Sequence, residues 1–186
     1  RNDGTWQSFG TNCSQPELFQ LDVDQNNYKW FVTGGSQGLQ VFDEGDPAIS
    51  TDDRCKNFTT SNSNLPTNTV NCLVSDLDGD VWVGTVEGIV IFECGSNTFE
   101  SVCRGTRPTV ELDGFGAYLL ETENVRSIAV DGANRKWVGT ENGVYLLSAD
   151  GREQIARFTT ENSPLFDNTV ISIAVNQKTG EVFFAT

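Results

Sequence analysis

The sequence predicts an all-β fold, a succession of small antiparallel sheets each made from one copy of a repeated unit. Three observations predict it. Residues 70–92, VNCLVSDLDGDVWVGTVEGIVIF, divide into three short runs rich in Val, Ile, Trp and Phe, at 70–75, 80–85 and 89–92, joined by the turn 76–79 and a Val-Glu-Gly turn. Such residues suit a pleated, packed surface, and Asp-Gly ahead of an apolar run marks a hairpin. The same text recurs at 18–42 and 125–147, and again at 170–186, where it stops after the second run. Its period is regular: Trp30, Trp82, Trp137 and Phe183 correspond, at separations of 52, 55 and 46 residues. Short strands repeating about every 50 residues are the signature of β-propeller blades. The expectation is therefore a β-propeller fragment of about 3.5–4 four-stranded blades.

Taken in order, residues 1–17 read as the outer strand of an earlier blade and the loop leaving it, with Gly4, Trp6, Phe9 and Gly10. Residues 18–42 form the first recognisable unit, and 43–56, acidic and containing Pro47, read as a surface connection. FTTSNSNL at 58–65 is nearly repeated as FTTENSPL at 158–165, and each reads as an outer strand crossing to the next blade. Residues 94–118 form the longest insertion, expected as a hairpin extending the outer edge of its blade and carrying Arg104 and Arg107. Approximate repeat units are 1–57, 58–117, 118–157 and 158–186, with strands shared between blades and little or no helix. The chain begins without Met and ends on a strand, which reads as a piece of a larger protein. The rest of the propeller or a second chain is expected to cover its open ends.

The repeat explains its own composition. A blade cannot bury both faces of its sheet alone, so neighbours cover each other and the central strands are apolar on both faces. Gly84 and Gly139 read as points of close backbone approach, and the turn carboxylates Asp24, Asp76 and Asp131, to which Asn176 corresponds in the last unit, as acceptors of backbone N–H bonds that hold the hairpins, a role read for the three carboxylates alone.

Composition excludes several function classes. With 26 acidic and 12 basic residues the net charge is −14, which argues against nucleic acid and against a polybasic membrane contact. No apolar run is long enough to span a bilayer, and no signal peptide stands at the start. There is no His, so neither a His-based triad nor a His-metal site can be drawn from this sequence. The cysteines show no CxxC. Cys94 and Cys103 flank a short loop and are the disulfide candidates, which favours an oxidising compartment. Cys13 and Cys55 could form a second pair, and Cys72 falls inside a strand as a buried, inert thiol.

Candidate chemistry is sparse. Asp76-Leu-Asp78-Gly-Asp80 resembles the start of a calcium loop with Glu87 at its twelfth position, but an intervening strand would hold Glu87 away, and the corresponding turns lack the carboxylates. Trp30, Trp82 and Trp137 could stack on sugars, yet their fixed place in the repeat reads as blade packing. No carboxylate pair stands out, so no catalytic residue, metal or cofactor is assigned. Asn12-Cys-Ser14 and Asn57-Phe-Thr59 match a glycosylation pattern. The loops expected to gather on one face around the channel hold Asn68, Glu87, Glu141, Asn142 and Asn168, either as turn residues or as a ligand-binding face.

The pattern V-x-S-I-A-V-D…K-W-V-G-T-x-N-G-V-Y resembles the two-component regulator propeller repeat common in Bacteroidetes, over essentially the whole chain. Narrower runs, ECGSNTFESVC, VELDGFGAYLLETENVRSIAVDGANRKWVGTENGVYLLSADG, FTTENSPL and AVNQKTGEVFF, are similar to the PorZ-like proteins of the type IX secretion system. The resemblance implies a seven-bladed ring and a non-enzymatic interaction platform in the periplasm or at the cell surface, associated with the outer membrane. It further implies a role in attaching anionic lipopolysaccharide to secreted cargo, with lipopolysaccharide or another glycan and a sortase as partners. The alternative it leaves is the periplasmic glycan-sensing part of a hybrid two-component system.

Overall fold

The structure is a computed structural model that describes residues 13, 17–49, 51–112 and 115–186. The expected strand within residues 1–17 falls almost wholly outside this set.

The first sheet contains β1 (Leu18–Val23), β2 (Lys29–Thr33), β3 (Leu39–Asp43) and β4 (Arg54–Phe58), paired in that order. The second contains β5 (Val70–Ser75), β6 (Val81–Thr85) and β7 (Gly88–Phe92). A separate hairpin follows, β8 (Thr109–Leu112) with β9 (Phe115–Tyr118). The third sheet is β10 (Val125–Val130), β11 (Lys136–Thr140), β12 (Gly143–Leu147) and β13 (Gln154–Phe158), and the last pairs β14 (Ser172–Val175) with β15 (Val182–Ala185). All neighbours are antiparallel, and the first three sheets share a register irregularity at the start of the inner strand. The result is a partial, unclosed β-propeller.

Three details differ from the sequence reading. The outer strand β4 lies at Arg54–Phe58, so the supposed connection 43–56 contains its start and only Phe58 of FTTSNSNL is in a strand. The following residues turn because their side chains take the backbone bonds: Asn62 Oδ1 accepts from the Thr59 N–H at 2.8 Å, and the Ser63 hydroxyl donates to the Thr59 carbonyl at 2.5 Å. The Cys94–Cys103 loop contains a 3₁₀ turn, Gly95–Asn97, and is closed by a disulfide, as is the Cys13–Cys55 pair.

The third difference is that, among the described residues, the second sheet has no fourth strand. Its outer edge is met by one isolated bridge, Ile91 to Thr106. Two residues on, where an antiparallel ladder needs the next N–H, stands Pro108, which has none. The Pro108 carbonyl instead accepts from the Leu119 N–H at 2.8 Å, at the base of the β8–β9 hairpin.

The first three sheets are held by the same device. Asp76 Oδ1 accepts the N–H groups of Asp78 and Asp80, both at 3.0 Å, while its Oδ2 accepts from Trp82 Nε1 at 3.0 Å. Asp24 does the same for Asn26, Tyr28 and Trp30, and Asp131 for Ala133, Arg135 and Trp137. In the last unit Asn176 stands for the Asp and Phe183 for the Trp: the Asn176 Oδ1 still accepts from the Lys178 N–H at 3.1 Å, and the indole donor and the second carboxylate oxygen it would meet are lost together. Asp78 Oδ2 accepts from Asn134 Nδ2, and β6 separates this turn from Glu87, so the carboxylates of the calcium-like motif are spread over structural contacts.

The core lies between sheets. Trp30 stacks on Phe58, ring centroids 5.4 Å apart, and both meet Phe92 of the next sheet at 5.5 and 4.8 Å. A Cβ on Gly84 would stand 2.5 Å from Val125 Cγ1 of the third sheet, so this position has to be glycine for the sheets to approach. At the two ends, equivalent positions are uncovered. Leu73 is 1% exposed and its counterpart Leu21 is 54% exposed; Trp82 is 1% exposed and Phe183 is 58% exposed. A neighbouring sheet, rather than residue type, decides burial here. Among the described residues no helix is long and apolar enough to cross a membrane.

Candidate functional site: a crevice between the second and third sheets

The missing fourth strand opens a crevice. It is bounded on one side by the β8–β9 hairpin and residues 119–123, and on the other by β13. Its volume is about 850 Å³, and Tyr118, Leu119, Glu123, Tyr145, Gln154 and Arg157 are among its lining residues. A second cavity of about 430 Å³, which includes Glu93, Arg107 and Pro108, shares Thr109 and Arg152 with it. Together they form an elongated groove along the outer half of the interface between sheets.

Its floor is a polar network on the loop side. Glu123, 9% exposed, accepts from the Tyr145 hydroxyl at 3.0 Å and from Asn142 Nδ2 at 3.0 Å. Burial, reinforced by the Glu123 carboxylate, pushes the Tyr145 hydroxyl up to about 12, so it stays a proton donor at neutral pH. The Arg157 guanidinium lies 5.1 Å from the Tyr145 ring centroid and donates to the Asn142 carbonyl at 3.0 Å. On the opposite wall, Arg107 stacks 3.9 Å from the Tyr118 centroid.

The five loop residues expected on the binding face divide. Asn142 joins the crevice network. Glu87 is exposed, and its carbonyl is 3.5 Å from Arg107 Nη2. Glu141 pairs with Arg126 and accepts from Asn124, and the Arg126 hydrogen bond holds its carboxyl below the ordinary range. Asn68 and Asn168 are committed to the crossings, their Oδ1 atoms accepting from the N–H groups of Thr60 and Thr160, each at 2.8 Å.

Sequence reasoning passed over Glu123, Tyr145 and Arg157. A signal was present in the repeat. Glu123 occupies the position of Asn68 and Asn168, Tyr145 that of Gln40 and Val90, and Arg157 that of Asn57. In the first sheet the matching pair is also bonded, Gln40 Nε2 to Asn57 Oδ1 at 3.1 Å. The third sheet replaces that amide pair with a tyrosine and an arginine facing the crevice.

Comparison with known proteins places this geometry. The two component regulator propeller model matches residues 64–87. No curated protein matches the chain. PorZ, a surface component of the type-IX secretion system of Porphyromonas gingivalis, is 28% identical over 98% of this chain and 27% of its own, with a TM-score of 0.83. The extracellular domain assigned to a hybrid two component system of B. thetaiotaomicron is 26% identical over 91% of this chain and 19% of its own, with a TM-score of 0.64. Virginiamycin B lyase from Staphylococcus aureus shares the fold alone, at 14% identity over 96% of this chain and 52% of its own and a TM-score of 0.59. The chain thus spans 27% and 19% of the lengths of the first two. It has the two-component-regulator type of propeller fold and is similar to PorZ.

Proposed function

We propose that the chain is part of a non-enzymatic propeller, located outside the cytoplasm at the cell surface or in the periplasm, that serves as a binding platform. Its partners in this reading are a lipopolysaccharide or related glycan and a sortase, and its task is attachment of anionic lipopolysaccharide to cargo of type IX secretion. One observation carries the reading: the likeness to PorZ extends over 98% of the chain at 28% identity. Two disulfides suit an oxidising compartment. The crevice supplies a concave surface with convergent polar groups, the usual form of a ligand site. The second reading, a glycan sensor of a hybrid two-component system, draws on the 26% identity to such an extracellular domain.

Deletion of the gene in its host separates the two. The secretion reading expects cargo released without attached lipopolysaccharide. Normal attachment together with a lost transcriptional response to an added glycan would reject it in favour of the sensor.

A further inference from the structure

We propose that the Cys94–Cys103 disulfide is a redox latch. Closed, it pins a loop of the second sheet onto the outer strand of the first; a dithiol opens it and releases the loop while the stacked sheets stay folded.

The loop leaves β7 and lies across the first sheet. Lys56 of β4 donates to the Thr98 and Glu100 carbonyls at 3.0 and 2.6 Å. Phe99 meets Tyr28 edge-on, ring centroids 5.2 Å apart, and the Arg54 guanidinium lies 4.5 Å from the Phe99 centroid. The Lys56 links end on backbone carbonyls, so they depend on the path of the chain and not on which side chains it carries. That path is set by the disulfide together with short-range bonds, among them Asn97 N–H to the Cys94 carbonyl at 2.9 Å. An unclosed loop of this length samples many paths, and the cross-link removes most of them. The corresponding turn of the third sheet, 148–153, also reaches its neighbour, with Gly151 against Trp82, but it holds no cysteine. Covalent closure is particular to the first joint.

The two sulfurs differ in access. Cys94 is half-buried, whereas Cys103 is 3% exposed and belongs to the core that contains Trp30, Phe58 and Phe92. An attacking thiolate therefore reaches Cys94 Sγ, and Cys103 is the leaving group. The Glu100 carbonyl that accepts from Lys56 also accepts the Cys103 N–H at 3.2 Å, so an ammonium stands close to the departing sulfur, and Arg104 follows it in sequence. Cations favour a thiolate, and a more stable leaving thiolate speeds exchange.

The step balances. One thiolate of the dithiol bonds to Cys94 Sγ as the Cys94–Cys103 bond breaks. Its second thiol then displaces Cys94 and closes as a cyclic disulfide. Two electrons pass to the pair, and each cysteine ends as a protonated thiol. Trp30, Phe58 and Phe92 lie outside the loop and keep the sheets together. The loop itself comes free, uncovering Lys56 and Tyr28, the latter only 9% exposed when the latch is closed.

The test is reduction of the intact protein with dithiothreitol, each disulfide followed separately by differential alkylation and mass spectrometry, and the backbone by hydrogen exchange. Opening of Cys94–Cys103 is expected to remove amide protection within 94–103 while β2, β3, β6 and β7 remain protected. The variant carrying both Cys94→Ser and Cys103→Ser should show that same pattern without reductant, with Cys13–Cys55 still closed. Arg104→Gln removes a cation at an exposed position and should slow reduction of Cys94–Cys103 roughly twofold. Protection lost throughout the sheets on opening, protection kept within 94–103 after opening, a pair that resists the reagent until the protein is denatured, or an unchanged rate in Arg104→Gln would each overturn the proposal.

Discussion

Lys136 Nζ lies 2.7 Å from Asp76 Oδ2, across sixty residues of sequence, with the two side chains 0% and 2% exposed. The ammonium also donates to the carbonyls of Asn134 and Ala149, at 2.9 and 2.6 Å, and sits 4.5 Å from the Trp82 ring centroid. A buried charge persists only when its partners replace water, and here all of them are supplied by the facing turns of two sheets. Lys29, its counterpart in the first sheet, pairs with Glu44 of its own sheet instead.

Removing the carboxylate should therefore cost more than removing the cation. Asp76→Ala strands Lys136 in the interior and frees three N–H donors, for a loss of about 3–5 kcal/mol. Lys136→Met keeps the volume and leaves Asp76 held by Asp78, Asp80 and Trp82, so the loss should be clearly smaller. Urea unfolding of the two variants checks the order, and a larger loss in Lys136→Met would contradict it.

Acid should weaken this joint and relieve its neighbour. Burial pushes the Asp76 carboxyl up, but Lys136, the Asp80 N–H and Trp82 outweigh it and hold it below the ordinary value. Its contribution is thus full above the unfolded value of about 4 and is lost as pH falls through the lowered folded value. Asp80 is shifted the other way, by burial and then by repulsion from Asp76, Glu93 and Asp78. It opposes folding above its raised value and stops doing so as pH falls through it. Asp80→Asn should raise the melting temperature at pH 7, with the gain shrinking as the solution is acidified through that raised value. A gain that persists undiminished at pH 3 would refute the assignment.

The Asp–Trp pairing should act as a unit. Asp24→Asn turns an acceptor into a donor opposite Trp30 Nε1, and Trp30→Phe leaves the carboxylate oxygen without that donor. Each should destabilise, and the double variant should lose less than the sum by about 1 kcal/mol, since it recreates the Asn176 and Phe183 combination of the last unit. Strict additivity in a double-mutant cycle would show that the bond carries no coupling.

How far the sequence reached follows from the range of each interaction. The sheets, their turns and the Trp positions depend on residues a few places apart, and the repeat displays such local patterns several times over. The Gly84 position was legible for the same reason, since Gly139 repeats it. The outer strands were misplaced because Thr59, Asn62 and Ser63 look strand-like in alternation while their side chains take the turn's backbone bonds.

The amino-acid sequence by itself determined the all-β repeat, its period and which faces are apolar, because these follow from side-chain alternation within each unit. Only the tertiary structure decided that Lys136 meets Asp76, that Glu123 meets Tyr145, and that the ladder lost at Pro108 leaves a groove against β13. Those relations join residues brought together by the stacking of sheets, and a one-dimensional pattern does not record which unit's exception will face which neighbour's.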